Sequence, residues 1–120
     1  MKKILLIEDN ARNTLLIERV LERHPYELLL ADDGETGLEQ ATKHLPDLLL
    51  VDMGLPDIDG QTLVNLLRKI PTIADKPIVA ITAWPPDVAI DMAKRYGCDG
   101  CITKPIDVRA FPNQIASYIP

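Results

Sequence analysis

The sequence predicts an α/β fold, a doubly wound five-stranded parallel sheet with helices on both faces. Three observations carry that prediction. Short apolar runs alternate five times with segments whose apolar residues recur at helical spacing. The runs are almost continuously apolar, as strands covered on both faces are, rather than alternating as half-exposed strands do. At 120 residues, 47% apolar and 26% charged, the chain suits a single globular domain with its own core.

Residues 4–7 (ILLI) are bounded by charges and read as a buried first strand. Residues 9–24 follow with helical spacing, Leu16, Ile17, Val20 and Leu21 sharing one face, and Asp9 or Asn10 is the natural N-cap. Residues 27–31 (ELLLA) form the second strand, and an Asp-Asp-Gly turn opens a second helix over 32–45. The third strand spans 47–51. A third helix spans 58–70, with Asp59 as its cap and Leu63, Leu66, Leu67 and Ile70 as its buried stripe.

Residues 76–82 (KPIVAIT) are the fourth strand. The two prolines after Trp84 suit the first turn of a fourth helix, where N–H groups have no partner. There Val88, Ala89, Met92, Ala93 and Tyr96 recur at helical spacing, and Gly97 is a plausible stop. The fifth strand spans 99–104, and 106–119 holds the last helix. If Asp107 capped that helix, Pro112 would fall beyond the free first turn and kink it; a start near Arg109 or Ala110 removes the conflict.

Composition excludes several functions. Thirteen basic against eighteen acidic residues give a net charge of -5, which argues against a nucleic-acid surface. Nothing approaches the ~20 apolar residues of a membrane span. The start, MKKILLIED, resembles a signal peptide only until Glu8 and Asp9 cut the apolar run short, so a cytoplasmic protein is expected. Cys98 and Cys101 form a C-x-x-C, but Cys98 follows a helix and Cys101 enters a strand. The helix-start position that lowers a thiol pKa is missing, so both read as reduced structural thiols.

Sheets of this type bind ligands beyond the carboxyl ends of their strands. Collected there are Glu8 and Asp9 after strand one, Asp52 after strand three, Thr82 after strand four and Lys104 after strand five. Two carboxylates ~4 Å apart repel by about 4 kcal/mol at an effective dielectric near 20. Three of them exceed what the single Lys104 charge can offset, and a hard divalent cation with oxygen ligands, Mg²⁺, supplies the rest. With the cluster neutralised, Lys104 and the Thr82 hydroxyl could hold phosphoryl oxygens while Asp52 attacks to form an acyl phosphate.

The same residues carry a family resemblance. The acidic pair ED at 8–9, Asp52, the stretch LPDIDG with Pro56, Asp59 and Gly60, ITA at 81–83 and TKP at 103–105 occur in order. Over essentially its whole length the chain resembles a receiver domain of a two-component response regulator, similar to the single-domain chemotaxis and cell-cycle regulators. The resemblance implies a flavodoxin-like receiver fold and phosphoryl transfer to Asp52 from a sensor histidine kinase or phosphotransfer protein. It implies Mg²⁺ held by Asp9 directly, Glu8 mostly through water, Asp52 and the backbone carbonyl of Gly54. It also implies phosphoryl contacts from Thr82 and Lys104, a cis Lys104–Pro105 bond, and a switched contact with a downstream protein target.

Each residue also has a plainer reading. Asp52 could be a turn residue, Glu8 and Asp9 could cap the first helix and favour its dipole, and Lys104 could form a structural salt bridge. Taken together, those readings leave the clustering unexplained. Asp57 and Asp59 echo a calcium loop, but the downstream bidentate Glu is missing. His24 and His44 sit at helix ends as dipole partners. Trp84 either packs beside the prolines or flanks the site. Many receivers carry an aromatic residue three positions before the lysine, and here that position is Cys101, which cannot supply the same rotating bulk.

Other functions compete. A degenerate receiver would bind partners without phosphorylation, against which the intact acidic set weighs. An aspartate-nucleophile phosphatase would show a second aspartate where Gly54 stands. A flavodoxin would need a Ser/Thr/Gly-rich cradle after strand one, and IEDN would repel its phosphate.

Overall fold

The computed structural model describes residues 1–119. Strands β1 (Lys2–Ile7), β2 (Tyr26–Ala31), β3 (Leu48–Asp52), β4 (Ile78–Thr82) and β5 (Gly100–Thr103) alternate with helices α1 (Ala11–Leu21), α2 (Gly34–His44), α3 (Gly60–Arg68), α4 (Pro86–Arg95) and α5 (Phe111–Tyr118). The strands pair in parallel in the order β2-β1-β3-β4-β5. Every element expected from the sequence is present, in the expected order and type.

Strand alternation divides the core in two. Ile4, Leu6, Leu48, Leu50, Val79 and Ile81 point to the face covered by α1 and α5, where they meet Ile17, Leu21, Phe111 and Ile115. Leu5, Ile7, Leu49, Val51, Ile78 and Ala80 point to the other face, against Leu63, Val64 and Leu67 of α3 and smaller residues of α2 and α4. Each fully buried Leu or Ile contributes about 1.5–3 kcal/mol, so a one-residue slip in register is costly on both faces at once. From β1 the chain crosses to β2 on one side and returns to β3 on the other, and the crevice at that switch point opens beyond the ends of β1 and β3.

Several local expectations are corrected. Leu66 is 37% exposed rather than part of the buried stripe of α3, and Val88, which shares the helical repeat of α4, is 43% exposed. Leu63, Val64 and Leu67 set the inward direction of α3, and Leu66 lies roughly 100° round the helix from it. Val88 is similarly displaced from Ala89 and Ala93 on α4. The third strand starts at Leu48 and includes Asp52; Asp47 lies outside it and accepts the Lys3 N–H at 2.8 Å. Helix α2 ends at His44, with Leu45 in the left-handed region at φ 50°.

The Pro112 conflict is resolved by the later start. Helix α5 begins at Phe111, so the proline occupies the second helical position, where no N–H is required. Asp107 caps the preceding turn, accepting from the Arg109 and Ala110 amides at 3.0 and 3.2 Å. Gly97, at φ 84°, follows the cap of α4 as expected. His24 lies beyond the end of α1 and stacks on Tyr26, with ring centroids 6.3 Å apart.

Candidate functional site

The β1–α1 junction separates two jobs that the sequence left combined. Asn10 caps α1, its side chain accepting from the Arg12 and Asn13 amides at 2.9 and 3.1 Å. Asp9 is thereby left available to the cluster. Glu8, one residue earlier, is turned inward and buried. One carboxylate oxygen each from Glu8, Asp9 and Asp52 lies within 4.8 Å of the others.

Asp52 ends β3 in an almost closed environment and is held from two directions. Its Oδ1 accepts the Gly54 N–H at 3.0 Å and the Lys104 ammonium at 3.2 Å. Lys104 also stands 3.3 Å from Glu8 Oε1. That approach makes an ion pair but is misaligned for a hydrogen bond, so neither Glu8 oxygen has a donor among the described residues. The Lys104–Pro105 bond that precedes the last helix is cis, as expected. Thr82 ends β4, buried, and its hydroxyl accepts the Trp84 N–H at 3.1 Å.

These surroundings push the two buried carboxyls apart. Burial, then the proximity of Asp52, raises the Glu8 carboxyl to about 7 against an ordinary 4.5. Burial also opposes the charge on Asp52. It is outweighed by the neighbouring Glu8 carboxyl, the Gly54 N–H and the Lys104 charge, and the Asp52 carboxyl falls below its usual value. Of the two carboxyls, Asp52 is therefore the more acidic, and Glu8 is the one that keeps its proton to higher pH. For Lys104, burial opposes the charge, but Asp52 and Glu8 more than compensate and raise its pKa.

Asp9, Asp52, Gly54, Thr82, Trp84 and Lys104 all line one open cleft of about 640 Å³. Every site residue expected from the sequence therefore lies in this cleft or, for Glu8, in the carboxylate cluster at its edge. Trp84 flanks the cleft, half-buried, with its ring edge-on to Tyr96 at 5.9 Å. Cys101 is half-buried and packs against the core, while the aromatic side chain that closes over β5 is Tyr118, whose hydroxyl reaches the place a side chain at Gly100 would fill.

Residues 4–116 match the response regulator receiver domain family. The chain belongs to that family. It is 31% identical over 118 residues to the polar-differentiation response regulator DivK of Brucella anthropi, covering 98% of this chain and 96% of that protein. The receiver domain of the sensor histidine kinase PA1611 from Pseudomonas aeruginosa, solved with a magnesium ion in its active-site cleft, superposes with a TM-score of 0.88 at 27% identity. That alignment covers 98% of this chain and 97% of that one. The chemotaxis response regulator CheY4 of Vibrio cholerae shares the fold, with a TM-score of 0.92 at 23% identity over 99% of both chains. This protein is a receiver domain of two-component signalling. Receiver domains bind Mg²⁺ at an acidic pocket, and Glu8, Asp9 and Asp52 form an acidic cluster here. No helix among the described residues is long and apolar enough to cross a membrane.

Sequence reasoning missed Asp57. In the sequence it stands out only as part of a calcium-loop echo. Instead its carboxylate receives two amides at the start of α2, at 2.9 and 3.0 Å. Those partners lie 23 and 22 residues away, and nothing local in the sequence links them.

Proposed function

We propose that this receiver domain accepts a phosphoryl group on Asp52 in a Mg²⁺-dependent reaction and thereby switches its contact with a downstream protein. The donor is the phosphohistidine of a sensor histidine kinase or phosphotransfer protein, which places the reaction in the cytoplasm. The observation that carries this reading is a buried Asp52 crowded by two further carboxyls with one ammonium among them. The donor set is all hard oxygen, and both oxygens of buried Glu8 lack a donor, so the site fits Mg²⁺. Asp9, Asp52 and the Gly54 carbonyl would hold it, with Glu8 beside them. When bound, Mg²⁺ offsets the charge of the cluster and of the phosphoryl oxygens.

The protein groups then divide the work. Gly54 and Lys104 already engage Oδ1 of Asp52, which leaves Oδ2 to form the bond to phosphorus. As that bond forms, the phosphorus–nitrogen bond of the donor breaks and the imidazole leaves with its electron pair. The Lys104 ammonium swings from the carboxylates to a phosphoryl oxygen, and the Thr82 hydroxyl, whose oxygen accepts the Trp84 amide, donates its own proton to another. The chain catalyses only its own phosphorylation and dephosphorylation, so it is a switch rather than a turnover enzyme.

Incubation with acetyl phosphate and Mg²⁺ followed by intact-mass measurement tests the proposal. One phosphoryl increment is expected on the wild type and none on Asp52→Asn. Trp84 fluorescence should respond to Mg²⁺ and again to beryllofluoride, the second step vanishing in Asp52→Asn. Full modification of that variant would rule out Asp52 as the acceptor. An unmodified wild type would favour a phosphorylation-independent binding module.

A further inference from the structure

Helix α2 has two caps. Its own Asp33 accepts the Thr36 amide at 2.7 Å, which leaves the amides of Gly34 and Glu35 without intrahelical partners. Asp57 supplies them from the loop between β3 and α3, Oδ1 accepting Gly34 N–H at 2.9 Å and Oδ2 accepting Glu35 N–H at 3.0 Å. Ile58 completes the contact on the apolar side. Its side chain lies against Gly34 so closely that a Cβ there would meet it at 3.0 to 3.2 Å.

This loop carries Gly54, whose N–H holds Asp52 Oδ1. From Gly54 to Ile58, among the described residues, the bonds from Asp57 are the loop's only hydrogen bonds to a distant element. The loop is thus pinned at Asp52 on one side and at α2 on the other. A cap supplied across 23 residues fixes two elements relative to each other, which an in-chain cap cannot do.

We infer that Asp57 is a positioning residue for the phosphoacceptor site, clamping the Gly54 loop to α2 so that Gly54 and Asp52 meet Mg²⁺ in register. The inference rests on the phosphoacceptor reading above. Asp57 touches neither the metal nor the phosphoryl group in that reading; it acts through Gly54. Supporting partners of metal ligands commonly matter at tenfold or more in affinity, and one further removed should matter less.

Calorimetric titration with Mg²⁺ alone, with urea unfolding of the metal-free protein in parallel, tests it. Asp57→Ala is expected to bind Mg²⁺ at least about threefold more weakly than wild type. Asp57→Asn keeps one acceptor and drops the charge, and should lie closer to wild type than to Asp57→Ala. Ile58→Ala, which keeps the charge and loosens the clamp, should also weaken binding, and it carries the test if Asp57→Ala does not fold. Lost stability with unchanged Mg²⁺ affinity in Asp57→Ala would make Asp57 a helix cap only. Equal weakening in Asp57→Asn and Asp57→Ala would make it a remote charge, and either result overturns the inference. A wild type that binds no Mg²⁺ would instead strike the phosphoacceptor reading itself.

Discussion

Lys104 Nζ lies 3.2 Å from Asp52 Oδ1, the same oxygen that accepts the Gly54 amide. The ammonium is also 3.3 Å from Glu8 Oε1, so one cation serves two buried carboxyls at the ends of different strands. Removing one partner of a buried pair strands the other charges, at up to about 3–5 kcal/mol. The Lys104 side chain is 23% exposed, so the cost here is smaller. Lys104→Ala should lose about 1–3 kcal/mol in urea unfolding without metal. Mg²⁺ should restore more stability to this variant than to wild type. Equal stability of the two metal-free proteins would mean that the pair is neutral on balance.

Glu8 makes the metal-free protein sensitive to pH. Its folded-state pKa of about 7 lies above the ordinary 4.5 because of burial first and Asp52 second. Between those values the folded state binds more protons than the unfolded one, so stability is full below about 4.5 and falls as pH rises through 7. The loss is on the order of 3 kcal/mol. Asp52 acts in the opposite sense. Its contribution is present above 3.8 and disappears as pH falls through its lowered value. Urea unfolding at pH 5 and 7.5 should show the decline in wild type and little slope in Glu8→Gln. Saturating Mg²⁺ should flatten or reverse it, because cation binding favours ionised carboxylates.

The sheet and the site chemistry were legible in the sequence because both depend on residues at fixed places along strands. An apolar run that stops at Asp52 announces a strand and a charged end together. Helix faces were read less well: Leu66 and Val88 fit a helical repeat, but which side of the helix faces the sheet depends on the docking angle, a tertiary property. Asp9 and Asn10 were interchangeable as caps in the sequence. Only the path of the chain after β1 gives the cap to Asn10 and the cluster to Asp9. Asp57 was invisible as a clamp because its partners are brought to it by the sheet order and not by spacing.

Leu45 and Gly97 occupy the left-handed region, at φ 50° and 84°, and substitutions there should have opposite signs. For an L-residue that conformation costs roughly 1–2 kcal/mol, which glycine avoids. Leu45 is 51% exposed, so Leu45→Gly sacrifices little burial and should raise stability by about 0.5 kcal/mol after its unfolded-state entropy is deducted. Gly97→Ala has room for its Cβ, the nearest atom being 3.8 Å away on Val64, so its expected loss of about 1 kcal/mol is purely backbone. Thermal unfolding of both variants checks the pair of signs.

Cys98 and Cys101 are both unpaired, and burial pushes the Cys98 thiol up to about 11 and raises that of Cys101 as well. Only the thiolate is nucleophilic, and a pKa near 11 leaves about one part in a thousand ionised at pH 8. Cys98 is also almost enclosed at the end of α4, whereas Cys101 is partly open beside Tyr118. Iodoacetamide at pH 8 should therefore label Cys101 first and Cys98 only through opening of the structure. In that regime Cys98 labelling tracks the free energy of opening. It should be faster in metal-free Lys104→Ala than in wild type, and slower again when Mg²⁺ is added. Rapid native labelling of Cys98, or ready formation of a Cys98–Cys101 disulfide, would show that burial does not protect this thiol.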